Sequence, residues 1–214
     1  MVSIDDVNID RLLYFAKLIK LSSDNPGSSV FAESLDKNGV QAHMTTRHEL
    51  IISGTNHWRD MFRYNLHVYE IISNSSNSYA VAMGINSRHK WHAGFLKYAY
   101  RVFSFVRKLS YKPVAVVGHS LGAAAAQIIG SSLQVDTMAF ASPLTLRGSI
   151  HNQPDGAHCV CNVLRSDDSV SSVPPRWLGF CHVGRILRLE PRWSIGEDHS
   201  IDRYIDELER IRNI

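Results

Sequence analysis

Apolar side chains recur along this chain with two periods. Ile9, Leu12, Leu13, Ala16 and Ile19 repeat at helical spacing and predict a helix over 9–20. Phe95, Tyr98, Ala99, Val102, Phe105, Val106 and Leu109 predict a long amphipathic helix over 95–109. Ile201, Tyr204, Ile205, Leu208 and Ile211 place one apolar face on a helix in the tail. Between these lie short apolar runs that read as strands: 39–46, 48–55, 79–85, 113–118, 135–143, 158–164 and 182–190. The run after Pro113 is apolar without alternation, as a strand buried on both faces requires. The Ala-rich stretch 121–129 fits a buried helix, and "SSDNPGSS" (22–29) and "NSSNS" (74–78) read as loops. Helices alternating with apolar strands predict an α/β fold with a mostly parallel central sheet flanked by helices. No repeat and no linker divides the chain, so residues 1–214 are expected to form a single domain.

Composition narrows the classes without choosing one. Hydrophobic residues make up 44% of the 214 and charged residues 20%, ordinary for a globular protein able to bury a core. The net charge is +3 with no dense Lys/Arg block, so a nucleic-acid partner is not suggested, while weak attraction to an anionic surface is. The three cysteines, Cys159, Cys161 and Cys181, are an odd number and read as reduced core thiols, with Cys159 and Cys161 on one strand face. No metal-ligand spacing occurs, and no cofactor is expected. The opening "MVSIDDVNIDRLL" lacks the layout of a signal peptide, and no apolar run approaches the length of about 20 residues of a membrane span. A cytoplasmic location is the expectation, barring export by another route or a removed leader.

The chemistry gathers around "VVGHSLGAAAA" (116–126). Gly118-His119-Ser120-Leu121-Gly122 fits the G-x-S-x-G pattern of a nucleophile elbow, between a predicted strand and a predicted helix. Such a turn projects the serine hydroxyl beyond the strand end, and the helix N-terminus aims N–H groups toward the same point. A glycine-rich turn with an incidental serine is the plainer alternative. A serine nucleophile needs a base and an acid to orient it, in this fold in the order Ser, Asp or Glu, His. His182 and His199 follow the available acids. His182 begins a predicted strand, whereas His199 lies in the polar turn "GEDHS", from which a base can reach Ser120. His119, beside the serine, is expected to point away from it in a supporting role. Asp136 lies at the wrong end of its strand and Asp155 in a surface turn. Asp167 and Asp168 both follow the 158–164 strand, and composition does not separate them.

Seven segments resemble the class 3 lipases, the fungal-lipase-like branch of the α/β-hydrolases, in the same order: "ELIISGT" with "WRDMFRYNL", "WHAGFLKYAY", "VVGHSLGAAAA", "FASP", "RSDDSVSSVPP", "GFCHVGRILRL" and "HSIDRY". The resemblance implies an α/β-hydrolase fold and serine ester hydrolysis. It implies Asp168 as the acid, because Asp168-Ser169-Val170 precedes Pro174-Pro175 at the family's spacing, with Asp167 as the fallback. It implies Ser120 as nucleophile and His199 as base, with His182 on a structural strand. It implies backbone N–H groups of Thr55 and Leu121 as the oxyanion hole. It also makes 56–66 a lid whose Trp58, Met61 and Phe62 cover the site. The alternative for that segment is a surface helix packing its apolar face on the core.

The chain departs from the family at Ala141 of "FASP", where Gly-Ser-Pro or Gly-x-Pro is common, and at Val-Ser-Ser-Val before Pro174. It is also short for a secreted member, and the family's frequent disulfides find no support in its cysteines. The function implied is cleavage of acyl esters of lipids, acylglycerol or phospholipid, through an acyl-enzyme, with transient contact to a lipid surface. A small or aromatic ester esterase, an acyltransferase, or a lipid-binding module without catalysis could use the same fold. Oligomeric state is not legible.

Overall fold

The computed structural model describes residue 4 and residues 7–54, 89–191 and 199–213. The predicted strand over 79–85, the lid segment 56–66 with Trp58, Met61 and Phe62, and Thr55 lie outside these residues. The described elements are, in order, α1 (Ile9–Asp24), β1 (Phe31–Lys37), β2 (Val40–Thr45), β3 (Glu49–Ile52), β4 (Lys90–Trp91), α2 (Ala93–Val106), β5 (Ala115–His119), α3 (Leu121–Leu133), β6 (Asp136–Phe140), β7 (Leu146–Arg147), β8 (Val160–Arg165), β9 (Phe180–Cys181), β10 (Arg185–Leu189) and α4 (Ile201–Arg212).

Seven of the strands form one sheet in the order β1-β2-β3-β5-β6-β8-β10. β3, β5, β6, β8 and β10 run parallel, while β1 and β2 pair antiparallel at one edge. The central strands are apolar without a break because both their faces are covered. In β3, Leu50 and Ile52 pack toward α2 and α3, and Ile51 packs toward α1 and α4. In β5, Val116 joins the first core and Ala115 and Val117 the second. The period of two thus divides each strand between two cores. Each Leu, Ile or Val so buried stabilises the fold by roughly 1.5–3 kcal/mol. Ala123, Ala124, Ala125 and Ala126 are fully buried, so α3 lies close against the sheet.

Several boundaries differ from the expectation, for local reasons. Asn8 caps α1 by accepting from the Arg11 N–H at 2.9 Å. The helix then continues past residue 20 to Asp24, with the Ser22 hydroxyl bonded back to the Ile19 carbonyl at 2.7 Å, a bond that keeps a loop-type residue in the helix. β1 has no counterpart in the predicted strands. It is an edge strand, exposed at most of its positions, and so carries no alternation to read. Cys159 does not share a strand face with Cys161: it ends the 3-10 turn Asp155–Cys159, and β8 starts one residue later. All three cysteines are free. His182 does not begin a strand but joins β9 to β10.

A second, three-stranded sheet, β4-β7-β9, flanks α3 and is antiparallel. Two buried histidines hold its surroundings. His92 caps α2, accepting from the Phe95 N–H through Nδ1 at 3.4 Å. His182 donates from Nε2 to the Ser142 carbonyl at 2.9 Å. Burial pushes each down to about 4. Below pH 6.5 the unfolded chain therefore takes up protons that the fold refuses, so stability falls as pH drops from 6.5 toward 4. The slope is about 1.4 kcal/mol per pH unit for each such histidine. Thermal midpoints measured across this window should fall with pH, and His182→Gln, which keeps an N–H for Ser142, should flatten the fall. An unchanged slope in that variant would show that His182 is not one of the groups responsible.

Candidate active site

Strand β5 ends at His119 and α3 starts at Leu121, so Ser120 alone makes the turn. Its backbone takes φ 59° and ψ −122°, a left-handed conformation that a residue with a Cβ adopts only when its surroundings impose it. The two glycines show what imposes it. A Cβ on Gly118 would run into the Gly122 carbonyl, and one on Gly122 would run into the Ile52 carbonyl of β3. The elbow is thus pressed between its own helix and the neighbouring strand. The Ser120 N–H donates to the Phe140 carbonyl at 3.0 Å, tying the turn to the end of β6. Leu121 opens α3, where helix geometry leaves the first N–H groups without an intrahelical acceptor. The end of β3 also abuts the serine: a Cβ on Gly54 would lie 3.0 Å from Ser120 Cβ.

His199, two residues before α4, meets the serine. Its Nε2 lies 2.7 Å from Ser120 Oγ, and its Nδ1 lies 2.8 Å and 3.0 Å from the two Asp168 oxygens. One neutral tautomer satisfies both contacts, with Ser120 donating to Nε2 and Nδ1 donating to Asp168. Asp168 follows β8 and is only 3% exposed. It also accepts from the Val170 N–H at 3.0 Å and from the Tyr204 hydroxyl at 2.8 Å. Burial pushes its carboxyl up, but the His199, Tyr204 and Val170 hydrogen bonds and the His199 charge outweigh burial and hold it below the usual carboxylate range.

The other acids are engaged elsewhere. Asp167 forms a two-pronged pair with Arg165, at 2.9 Å to Nε and 2.7 Å to Nη2. Asp136 pairs with Arg11 at the start of β6. Asp155 opens a 3-10 turn. Of the sequence candidates, the structure therefore brings Ser120, Asp168 and His199 together, with Leu121 at the helix start. Thr55 falls just beyond the described residues.

Two contacts are not legible in the sequence. Tyr204, fully buried on α4, counts there as an apolar position of the helix stripe, yet its hydroxyl donates to Asp168 and accepts from the Arg165 N–H at 3.2 Å. Burial, then the Asp168 charge, raises the phenol well above its ordinary value, so it stays a donor. The second is His119, whose Nε2 donates to the His199 carbonyl at 2.9 Å, with the two rings 5.0 Å apart. Burial and then the nearby His199 push His119 down to about 3, which keeps it neutral beside the base. Among the described residues no cluster of His, Cys, Asp and Glu could hold a metal ion, and no helix is long and apolar enough to cross a membrane.

No family model and no curated protein sequence matches the chain. Solved structures do. A lipase from Rhizopus microsporus var. chinensis superposes with a TM-score of 0.60 at 17% identity, over 92% of this chain and 78% of that one. Lip2 lipase from Yarrowia lipolytica gives 0.57 at 16% identity, over 88% and 80%. The triacylglyceride lipase of Rhizomucor miehei gives 0.57 at 16%, over 88% and 82%. The chain has the fold of these fungal lipases. It is an α/β-hydrolase fold, and at this identity the likeness speaks for the fold alone.

The elbow makes its own prediction. Gly122→Ala forces backbone against backbone and should cost about 3 kcal/mol or more in urea unfolding. Gly148→Ala, where nothing lies within 4 Å of the added Cβ, should change stability by less than about 0.5 kcal/mol. Equal effects at the two sites would refute the close approach.

Proposed function

We propose that this protein is a serine ester hydrolase that cleaves acyl esters of lipids through an acyl-enzyme. The observation that carries the reading is the unbroken hydrogen-bond chain from Ser120 through His199 to Asp168, placed at the N-terminus of α3. In this reading Ser120 Oγ attacks the ester carbonyl as His199 Nε2 takes its proton. Asp168 holds the Nδ1–H tautomer and stabilises the imidazolium. Leu121 N–H faces the developing oxyanion, and Thr55 is the second donor that the lipase resemblance implies. His199 then protonates the departing alcohol, and water releases the acyl group by the same steps in reverse. Tyr204 keeps Asp168 oriented and ionised, and His119 steadies the main chain that carries the base. The structural neighbours described as lipases favour lipid esters over other esters. Acylglycerols and the acyl chains of phospholipids, a phospholipase A1 activity, are the two substrate classes proposed. The 56–66 segment, with Trp58, Met61 and Phe62, is the proposed lid.

The test is hydrolysis of p-nitrophenyl esters from short to long acyl chains, followed by triacylglycerol and phospholipid substrates. Ser120→Ala should lower turnover by roughly a thousandfold or more with an unchanged circular dichroism spectrum. Full activity in that variant would sink the assignment. A best substrate with a short acyl chain would replace the lipid reading with a small-ester esterase, and ester exchange with added alcohol would point to acyl transfer.

Tyr204→Phe removes a donor from a buried carboxylate. It should lower kcat roughly tenfold and leave KM nearly unchanged, because substrate does not touch the phenol. An unaltered kcat in the folded variant would confine Tyr204 to holding α4 in place.

A further inference from the structure

Among the described residues three large apolar side chains stand in solvent: Val114, Ile150 and Trp177. Two of them sit on turns that leave the same end of one antiparallel ladder. β7 and β9 pair with Leu146 opposite Cys181 and Arg147 opposite Phe180. The Gly148 N–H donates to the Gly179 carbonyl at 2.9 Å, which carries the ladder one step further. Beyond that step each chain turns back. On the β7 side the Asn152 N–H closes a turn on the Ser149 carbonyl at 2.9 Å, and Ile150, 66% exposed, sits at its tip. On the β9 side the 3-10 turn Arg176–Leu178 is closed by Leu178 N–H to Pro175 at 3.0 Å and Gly179 N–H to Arg176 at 2.8 Å. Trp177 is its central residue and is 81% exposed. Ile150 lies two residues beyond Gly148 and Trp177 two residues before Gly179, so the two turns leave the same end of the ladder. Both are presented by hydrogen-bonded turns.

The charged residues that β7, β9 and their two turns carry are of one sign. Lys90 of β4 pairs in register with Arg147 of β7, so the two exposed cations share a sheet face. Arg176, also exposed, precedes Trp177. From residue 137 to 154 and from 169 to 189 there is no Asp or Glu, in a chain that carries 20. The two strands and both turns thus present cations and apolar tips with no carboxylate of their own.

We propose that Ile150 and Trp177, together with Lys90, Arg147 and Arg176, form a docking surface for an anionic phospholipid bilayer. A tryptophan suits the headgroup boundary, where its ring is apolar and its N–H wet. Each nearby Lys or Arg adds attraction to an anionic leaflet. Two apolar tips cannot supply the roughly 800 Å² per partner that a stable protein interface buries, whereas insertion into a bilayer needs only the tips themselves. None of its five residues belongs to the Ser120–His199–Asp168 constellation, and it concerns adhesion rather than bond cleavage. If the hydrolase reading also holds, docking brings the protein to its substrate.

Sedimentation with vesicles tests it, using the full chain carrying Ser120→Ala so that no lipid is cleaved. Mixed phosphatidylcholine–phosphatidylserine vesicles should bind at least about tenfold more tightly than phosphatidylcholine alone, and added salt should weaken the binding. Trp177→Ala with Ile150→Ser, and Arg147→Glu with Arg176→Glu, should each lower binding to the mixed vesicles by about tenfold. Val114→Ser, an exposed apolar position elsewhere, should leave it unchanged. Wild-type binding in both double variants would overturn the proposal, as would equal binding to the two vesicle types. Self-association lost in Trp177→Ala, without vesicle binding, would give the surface to a second copy of the chain and also overturn it. With Ser120 restored, the same variants should keep the parent rate on a soluble short-chain ester; a shared loss of that rate would mean the substitutions disturb the fold. If no ester is cleaved by any form, the hydrolase reading falls and the vesicle result stands on its own.

Discussion

A buried carboxylate is tolerable only when its lone pairs all find donors, and Asp168 sets that condition for the whole site. Its oxygens receive the Val170 amide, both contacts from His199 Nδ1, and the Tyr204 hydroxyl. These donors come from a 3-10 turn, from the segment before α4, and from α4 itself. Satisfying one ionised group therefore fixes the end of β8 against the last helix, and with it the distance from His199 to Ser120. Arg165 reinforces the same junction, pairing with Asp167 and donating to the Arg203 carbonyl at 2.9 Å. The two adjacent aspartates are divided between structure and site by which cation or donor each one meets.

The strand ends beside the serine carry a conformational load. Ser120 and Ala141, at the ends of β5 and β6, both hold positive φ, at 59° and 53°. Each costs roughly 1–2 kcal/mol relative to an ordinary backbone for a residue with a Cβ. For Ser120 the cost places its hydroxyl against His199 Nε2, at 2.7 Å. Ala141 has no such return, and it stands where the resembling family commonly has glycine, the residue that adopts this conformation without strain. The Ala141 N–H donates to the Val163 carbonyl at 3.0 Å, so the backbone is held by the sheet whatever the side chain.

How much of this could be read in the sequence depended on burial. β3, β5, β6 and β8 are covered on both faces, and their apolar runs stand out; β1 is an exposed edge and shows no pattern. The elbow was legible because Gly118 and Gly122 are required by backbone contacts. The choice between Asp167 and Asp168 was not legible from composition, since it depends on where Arg165 reaches. Tyr204 was hidden for a different reason. An aromatic ring on a helix stripe satisfies the hydrophobic pattern completely, so nothing in the pattern reveals that its hydroxyl is bound. His182 misled in the opposite sense: its neighbours look like strand, but Gly184, at φ 80°, breaks the run and leaves the histidine in the connection before β10.

Helix α4 supplies Tyr204, receives the Arg165 bond, and begins two residues after His199. Tyr204, Ile205 and Leu208 hold it in the core that it shares with α1 and the sheet, and the exposed pairs Lys17–Glu209 and Lys20–Asp202, at 2.7 Å each, tie it further to α1. A local opening that lifted α4 would remove His199, the Tyr204 donor to Asp168 and the bond that clamps β8 in one event. The Ser120–His199–Asp168 constellation is accordingly a cooperative unit: it exists whole or not at all, and the free energy of undocking one surface helix sets the fraction of molecules in which it exists.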